Sequence, residues 1–251
     1  MSNPDNNVGL ADIGLDTDSE ISMSPTTNQS WRQLLEISSN KTRKIRGSNY
    51  VQLATVDAQG APRCRTVVFR GFLSHVPVDH AVLGGGHQEC SNLPSVMKMI
   101  TDARSNKVSD VAAHQGQAEL VWWFPKTSEQ YRISGKLILV GPNNTNDAFL
   151  QTMRRETWGN LSDAAREAFY DERVPGQPYN NDNESSSLQN IPPGGRDAET
   201  GKVLQPPPAH FLLMLLVPHA CDYLRLGQPE QYRQVDVRHD DGTWTLQRVN
   251  P

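Results

Sequence analysis

Seven consecutive apolar residues, from Phe211 to Val217, constrain the fold of this chain more than any other segment. Successive side chains of a β-strand point to opposite faces of the sheet, so a strand without polar residues must be buried on both faces. The run is also much too short to cross a bilayer as a helix. It therefore predicts a central strand of a sheet inside a globular domain.

Segments with the composition of strands occur on both sides of this run. They are residues 50–56, 63–70, 96–101, 118–124, 131–140, 221–226, 233–238 and 243–249. The first two are joined by Asp57-Ala58-Gln59-Gly60 and the last two by Asp240-Asp241-Gly242, and both connections are typical of hairpin turns. The chain is thus expected to form many antiparallel strands.

Helices are fewer, and each is predicted from a capping residue that precedes it. Ser30 opens a capping box with Gln33, three residues later. Three further helices are expected over residues 106–114 after Ser105, 146–155 after Thr145, and 163–170 after Ser162. Many antiparallel strands with a few helices between them indicate an α+β domain built on a β-barrel.

Two segments are too polar to bury a core. Residues 1–29 are rich in Asn, Asp, Ser and Thr, and residues 176–208 are rich in Pro, Gly, Asn and Ser. Such compositions favour disorder. We therefore expect a disordered N-terminal tail over residues 1–29 and one domain over residues 30–251, with a mobile insertion at about 176–208.

Charge and cysteine content exclude several classes of function. The formal net charge of −4 argues against a broad basic surface for nucleic acid. The N-terminus lacks the basic-then-apolar order of a signal peptide. Cys64, Cys90 and Cys221 form no disulfide framework, and His87 with Cys90 is more typical of a glycine-rich loop than of a metal site. These features predict a cytoplasmic protein without a metal and without a nucleic-acid or membrane partner.

Two segments together indicate a phosphate-binding site. The strand segment Arg63–Phe72 carries three arginines, and Thr101–Lys107 runs from a strand end into the start of a helix. Guanidinium groups, a lysine and a helix N-terminus all favour a phosphate dianion. Taken alone, an arginine-bearing strand is more often a solvated sheet face. Trp122 and Trp123 could likewise be core packing or a wall beside a planar ligand.

With these residues in view, the chain resembles the pyridoxamine 5'-phosphate oxidase-like family of FMN-binding split barrels, in particular the branch known only as FMN-binding. Five blocks carry the resemblance in one order: residues 53–72, 101–107, 124–135, 158–163 and 244–251. The resemblance implies an α+β fold, an antiparallel six-stranded split β-barrel with a few peripheral helices. It also implies an FMN cofactor held at the interface of a homodimer.

The resemblance also implies roles for individual residues. Arg65 and Lys107 would bind the FMN phosphate as its two cations, with Thr101 and Ser105 as neutral donors. Thr66, Val67 and Val68 would present backbone groups to the flavin ring, and Arg70 would lie near the ring and the substrate side. Ile100 and Thr101 would contact the flavin and its ribityl chain. Gln130 would reach the flavin from the partner subunit, and Arg233 would complete the pocket.

The substrate side departs from the family pattern. Vitamin B6 oxidases carry an Arg and a His near the C-terminus, whereas this chain has Pro229 and Glu230 before Arg233. The predicted function is a flavin-dependent oxidoreductase that acts on an unidentified small molecule, with no catalytic residue assigned. Two alternatives stay open: a genuine pyridoxamine/pyridoxine 5'-phosphate oxidase, and a non-catalytic FMN-binding or sensing protein.

Overall fold

The computed structural model describes residues 29–77, 80, 82–83, 94–144, 146–178, 205–227 and 230–251. The predicted N-terminal tail, except Gln29, lies outside the described residues, as does most of the predicted insertion. His87 and Cys90, weighed above as half of a metal site, lie outside them too.

Four helices and eight strands form within the described residues. In chain order they are α1 (Trp31–Thr42), β1 (Tyr50–Val56), β2 (Pro62–Val68), β3 (Met97–Asp102), α2 (Asn106–Ala113), β4 (Gln117–Phe124), β5 (Glu129–Val140), α3 (Ala148–Gly159), α4 (Asp163–Glu167), β6 (Phe211–Arg225), β7 (Tyr232–Arg238) and β8 (Trp244–Val249).

The strands form one antiparallel sheet in the order β2-β1-β4-β5-β6-β7-β8, and β3 pairs with β6 beside this path. The chain after β2 returns to β3, where Phe72 bridges Met97 and the Arg70 N–H donates to the Lys98 carbonyl at 2.8 Å. Strands β1 to β6 thereby close on themselves as a barrel, and β7 and β8 extend the sheet from β6. The prediction of an α+β barrel is confirmed, but the count of six strands is wrong because the sheet has eight.

The predicted central strand is confirmed and is longer than expected. Residues 211–217 and 221–226 were predicted as separate strands, but Phe211–Arg225 is one strand that pairs with β3, β5 and β7. Its pairing with β5 shifts by one residue between Ser134 and Gly135, opposite Pro218. This bulge accommodates the proline, which has no N–H to donate. A side chain at Gly135 would lie 2.5 Å from the Val217 carbonyl oxygen, so the close approach requires glycine.

Two of the predicted helix starts are confirmed by hydrogen bonds and one is wrong. Ser30 and Gln33 form the reciprocal capping box of α1, and the Ser162 hydroxyl caps α4. Helix α3 begins at Ala148 rather than Asn146, because the Asp147 carboxylate accepts from the Leu150 N–H at 3.0 Å and caps the helix there. It ends at Gly159 rather than at residue 155.

The barrel interior is apolar and is closed at one end by α1. Trp31, Leu34 and Leu35 of that helix are buried in the same cluster as Trp122 and Phe124 of β4. A second set of apolar residues packs α3 against the outside of β6. Helix α1 and helix α3 therefore cover opposite parts of the barrel.

A buried carboxylate anchors the start of α1 to β7. Asp236 is 2% exposed, and its oxygens accept from the Trp31 N–H at 3.2 Å and from the Gln234 amide at 2.8 Å. Burial raises the pKa of Asp236 from 3.8 to about 6, and the two hydrogen bonds oppose that rise. Neither donor carries a charge, so the ionised form stays costly.

This raised pKa predicts a loss of stability between pH 4 and pH 6. The folded protein keeps a proton on Asp236 that the unfolded chain has already released, so this group's contribution falls as the pH rises through that window. We expect the stability of Asp236→Asn relative to the parent to rise by about 2–3 kcal/mol between pH 4 and pH 7. Urea unfolding of both proteins at several pH values measures this difference in the free energy of unfolding.

The exposed Asp240→Asn is the matched control. Its stability relative to the parent should stay constant over the same pH range. If the free energy of unfolding of Asp236→Asn differs from that of the parent by the same amount at every pH, Asp236 is already ionised at pH 4.

Candidate functional site

Three predicted phosphate-binding residues meet where β3 ends and α2 begins. The Lys107 amine donates to the Thr101 hydroxyl at 3.0 Å and to the Ser105 hydroxyl at 2.9 Å, and the two hydroxyls lie 3.2 Å apart. Ser105 occupies the N-cap position of α2, but its side chain makes no capping hydrogen bond. Its hydroxyl is turned to Lys107 instead, which leaves the first amides of the helix without a side-chain cap.

Arg65 reaches the same region from the edge strand β2. Its guanidinium donates to the Asp110 carboxylate at 2.9 Å and to the Thr55 hydroxyl at 2.6 Å, and Thr55 in turn donates to the same Asp110 oxygen at 2.8 Å. Further bonds to the carbonyls of Leu53 and Arg63 fix the guanidinium plane. Arg65 is therefore held in one orientation by β1, β2 and α2 together.

Asp110 and Thr55 were not predicted from the sequence. Asp110 lies three residues after Lys107, on the same side of α2, which was the available signal. Nothing in the sequence indicates that this side of α2 packs against Thr55 of β1.

The cluster has an excess of positive charge. Burial lowers the pKa of Lys107, and the charge of Arg65 lowers it further, whereas Asp102 and Asp110 oppose the change. Asp102 is already engaged by Arg104, whose guanidinium donates to both of its oxygens. One buried carboxylate, Asp110, thus faces two cations. Two cations, two hydroxyls and an uncapped helix N-terminus fit a phosphate group.

Other predicted residues lie around this cluster in less direct roles. Thr66 is exposed, Val67 is buried in the barrel core and Val68 is partly buried, so the three alternate between the two faces of β2. Ile100 packs against the cluster that contains Trp158. Their side chains do not form a common pocket within one chain.

Arg70 lies in a separate cleft between the sheet and the end of α3. The cleft is lined by Arg70, Lys98, Thr157, Asn160 and Leu161. Burial lowers the pKa of Lys98, and the charge of Glu156 opposes this change. Lys98, Thr157 and Asn160 were not singled out from the sequence, because a lone lysine on a strand gives no signal of burial.

Gln130 and Arg233 lie on the outer face of the sheet, away from Arg65. Gln130 on β5 is opposite Trp123 and Leu224, and Leu224 is opposite Arg233 on β7. Strand β5 is three strands from β2 in the sheet order, about 14 Å away. Arg233 forms a two-point ion pair with Asp222, at 2.9 and 2.8 Å. Within one chain, Gln130 and Arg233 therefore do not lie at the cluster formed by Arg65 and Lys107.

Comparison with known proteins identifies the family. Residues 28–141 match the sequence model of the pyridoxamine 5'-phosphate oxidase FMN-binding domain. An Arabidopsis thaliana protein, pyridoxine/pyridoxamine 5'-phosphate oxidase 2, is 30% identical over 223 residues, which cover 88% of this chain and 96% of the relative. This chain belongs to the pyridoxamine 5'-phosphate oxidase family. FMN is therefore its cofactor.

Two solved structures of similar proteins agree with this assignment. A pyridoxamine 5'-phosphate oxidase-related FMN-binding protein of Nostoc punctiforme PCC 73102 has a TM-score of 0.69 and 34% identity, covering 91% of this chain and 100% of its own. PhzG of Burkholderia lata 383 has a TM-score of 0.62 at 14% identity, covering 91% and 98%, and supports the fold alone. The split-barrel fold of the oxidase family is thereby confirmed.

None of the described helices is long and apolar enough to span a membrane. Within the same part of the chain, no three His, Cys, Asp or Glu side chains converge as a metal site would require.

Proposed function

We propose that this protein is an FMN-dependent oxidoreductase that acts on a small molecule. The observation that carries the proposal is the cluster at the β3–α2 junction, where Lys107 and Arg65 face one buried carboxylate on the FMN-binding domain of an oxidase family. Bound FMN supplies the redox chemistry, and the protein holds and orients it. The unpaired cysteines Cys64 and Cys221 suit the reducing conditions of a cytoplasmic location, which is part of the proposal.

In this proposal Lys107 and Arg65 bind the FMN phosphate, and Asp110 fixes the Arg65 guanidinium. Thr101 and Ser105 exchange their bonds with Lys107 for bonds to phosphate oxygens. A charge-assisted contact of this kind contributes about 1.5–3 kcal/mol. Thr66, Val67, Val68, Arg70 and Ile100 keep their proposed places around the ring and the ribityl chain.

Loss of either cation should weaken FMN binding. We expect Arg65→Ala and Lys107→Ala each to raise the Kd for FMN about 10- to 150-fold, measured by quenching of flavin fluorescence. Arg63→Ala is the matched control for Arg65, because Arg63 lies two residues away on β2 and is 59% exposed in its pair with Asp57. It should change the Kd by about twofold at most. Unchanged affinity in both test variants would contradict the phosphate assignment.

We further propose that the protein is a homodimer with FMN at its interface. Gln130 and Arg233 share the outer face of the sheet, three or more strands from Arg65 in the sheet order, and in this proposal Gln130 reaches the flavin from the partner subunit. The outer face that carries them also exposes Tyr50, Trp123 and Val237, which are 50%, 42% and 40% exposed. Large exposed apolar side chains on one sheet face are typical of a surface that a partner covers.

A mixed dimer tests the shared site. Arg65→Ala and Gln130→Ala should each weaken both sites of their own homodimers. When the two variants are combined in one heterodimer, one site carries both substitutions and the other carries neither. We therefore expect half of the sites to regain the parental Kd, measured by FMN titration of a doubly tagged heterodimer.

If both residues served one site in the same chain, every site of the heterodimer would keep one defect and no recovery would occur. A heterodimer of Arg65→Ala with the parent gives the reference titration, with half of the sites intact. A protein that sediments as a monomer with FMN bound would also contradict the shared site.

Redox activity separates an enzyme from a passive binder. We expect NADH or NADPH to bleach the flavin absorbance anaerobically, by donation of a hydride, and air to restore it as O2 accepts the two electrons. The control is free FMN at the same concentration, which sets the uncatalysed rate. A bound flavin that stays oxidised with NADH, NADPH and B6 phosphates would support the sensing alternative.

Genuine pyridoxamine/pyridoxine 5'-phosphate oxidase activity is the second candidate function. The name of the Arabidopsis thaliana relative favours it, and the chain aligns with 96% of that relative. Glu230 argues against it, because the exposed carboxylate lies near the C-terminal strands and pairs with Arg248 at 3.3 Å. Turnover of pyridoxine or pyridoxamine 5'-phosphate under air would decide in its favour.

A further inference from the structure

We propose that a basic surface at the end of α1 is the docking site for the acidic N-terminal segment of the same chain, residues 1–28. The basic surface consists of Lys41, Arg43, Lys44, Ile45 and Arg46. The proposal goes beyond the proposed function, because neither segment contains a residue assigned to the flavin. It assigns a binding surface and the chemistry of its occupant.

The four cations of the basic surface have no counterion in the part of the chain that the structure describes. All four residues are exposed, and no described Asp or Glu forms an ion pair with any of them. The nearest carboxylates along the chain are engaged elsewhere, Glu36 with Arg32 at 3.3 Å and Asp57 with Arg63 at 2.8 Å. Four like charges within six residues repel one another, and a bound polyanion relieves that repulsion.

The end of the helix accounts for only part of this charge. Lys41 lies in the last turn of α1 and Arg43 at its C-cap, where the exposed helix carbonyls favour a cation. Lys44 and Arg46 lie beyond the helix. Because the helix dipole acts only within the last turn, it gives no reason for these two charges.

The backbone holds the basic surface in successive turns. The Ile45 N–H donates to the Thr42 carbonyl at 2.8 Å, and the Ser48 N–H donates to the Ile45 carbonyl at 3.0 Å. The indole of the buried Trp122 donates to the Ser48 carbonyl at 2.7 Å, which joins these turns to the barrel core. A surface that is already ordered loses little conformational entropy when a ligand binds to it.

The acidic N-terminal segment has the complementary chemistry. It carries five of the 28 acidic residues of the chain and none of the 24 basic ones. The five are Asp5, Asp12, Asp16, Asp18 and Glu20. Apolar residues such as Ile13 and Leu15 lie between the acids, and Ile45 is 46% exposed among the cations. The segment therefore matches the basic surface in charge and in apolar character.

The acidic segment joins the structure within reach of the basic surface. It enters at Gln29, whose carbonyl accepts from the Gln234 amide at 3.1 Å, immediately before α1. Helix α1 has 12 residues and is about 18 Å long. The nine residues from Glu20 to Gln29 span up to about 30 Å when extended. Covalent linkage thus gives the acids a high effective concentration at the end of α1, which a separate polyanion lacks.

Zero-length carbodiimide cross-linking of the full chain tests the contact, because it joins a carboxylate to an amine only where the two groups pair. We expect cross-links from Asp16, Asp18 or Glu20 to Lys41 or Lys44, identified by mass spectrometry after digestion. Their yield should fall about fivefold or more in about 0.5 M NaCl, which screens the attraction. Cross-links to the exposed Lys136 on β5 should be rare by comparison.

A charge variant that keeps both lysines sharpens the test. Arg43→Gln/Arg46→Gln should lower the cross-link yield about fivefold or more. The matched control is Lys126→Gln/Arg155→Gln, which removes two exposed positive charges elsewhere and should keep the parental yield. Absence of cross-links to Lys41 and Lys44, an equal yield at Lys136, or an equal loss in the control variant overturns the proposal.

Isotope labelling separates contact within one chain from contact between chains. A heterodimer with one labelled subunit, or a mixture of labelled and unlabelled monomers, is cross-linked in the same way. We expect each cross-linked peptide pair to be wholly labelled or wholly unlabelled. Pairs of mixed labelling would assign the acidic segment to the partner subunit and contradict docking within one chain.

Retention on heparin, a sulfated polyanion, measures whether the acidic segment covers the basic surface. Asp16→Asn/Asp18→Asn should free the surface and elute at higher salt than the parent. Glu172→Gln/Asp240→Asn removes two exposed negative charges elsewhere, so it has the same net charge and should elute closer to the parent. Equal elution of the two variants would show that the basic surface is open in the parent and would overturn the proposal.

Discussion

The double pairing of β6 is the constraint on which the rest of the structure depends. Its first half lies between β3 and β5, and its second half lies between β5 and β7. Because Phe211–Val217 is buried on both faces, its backbone N–H and C=O groups need a paired strand on each edge, and β3 can pair there only if the chain returns to it across the barrel. That return carries Lys98, Ile100 and Thr101 to the seam, and it places the start of α2 beside the edge strand β2.

Asp110 gives the proposed cofactor cluster its electrostatic character. It neutralises one of two cations, so the site retains one unit of positive charge while Arg65 stays fixed in orientation. Such an arrangement limits the reorganisation that an arriving phosphate requires, since the guanidinium is already placed and only the hydroxyl bonds of Lys107 must change. The ion pairs on the outer face of the sheet differ from this buried cluster. The pair of Arg233 with Asp222, for example, is partly exposed and contributes little to stability on its own.

Local sequence patterns predicted most of the strands and the start of α1, since alternation and capping depend on neighbouring residues. The sequence predictions were wrong or missing where the local structure depends on contacts with residues far away in the sequence. Pro218 reads as a strand breaker, yet β6 continues through it because a bulge at His219 of β6 and the small Gly135 of β5 make room. In the site, Lys107, Thr101 and Ser105 were predictable from one continuous segment. Asp110, Thr55 and Lys98 were not, because their roles depend on how α2 and α3 pack against strands far away in the sequence.

The closure of the barrel has a consequence for how the protein acquires its activity. The hairpins β1–β2 and β4–β5 join residues near in sequence, whereas β3 must find β6 and the segment after β2 must find β3. Contacts between distant residues form late because the loop they close is long. Arg70 meets Lys98, and Arg65 approaches Lys107, only when this last seam is made. The proposed flavin site would therefore be complete only in fully folded molecules, and the cofactor would select for them.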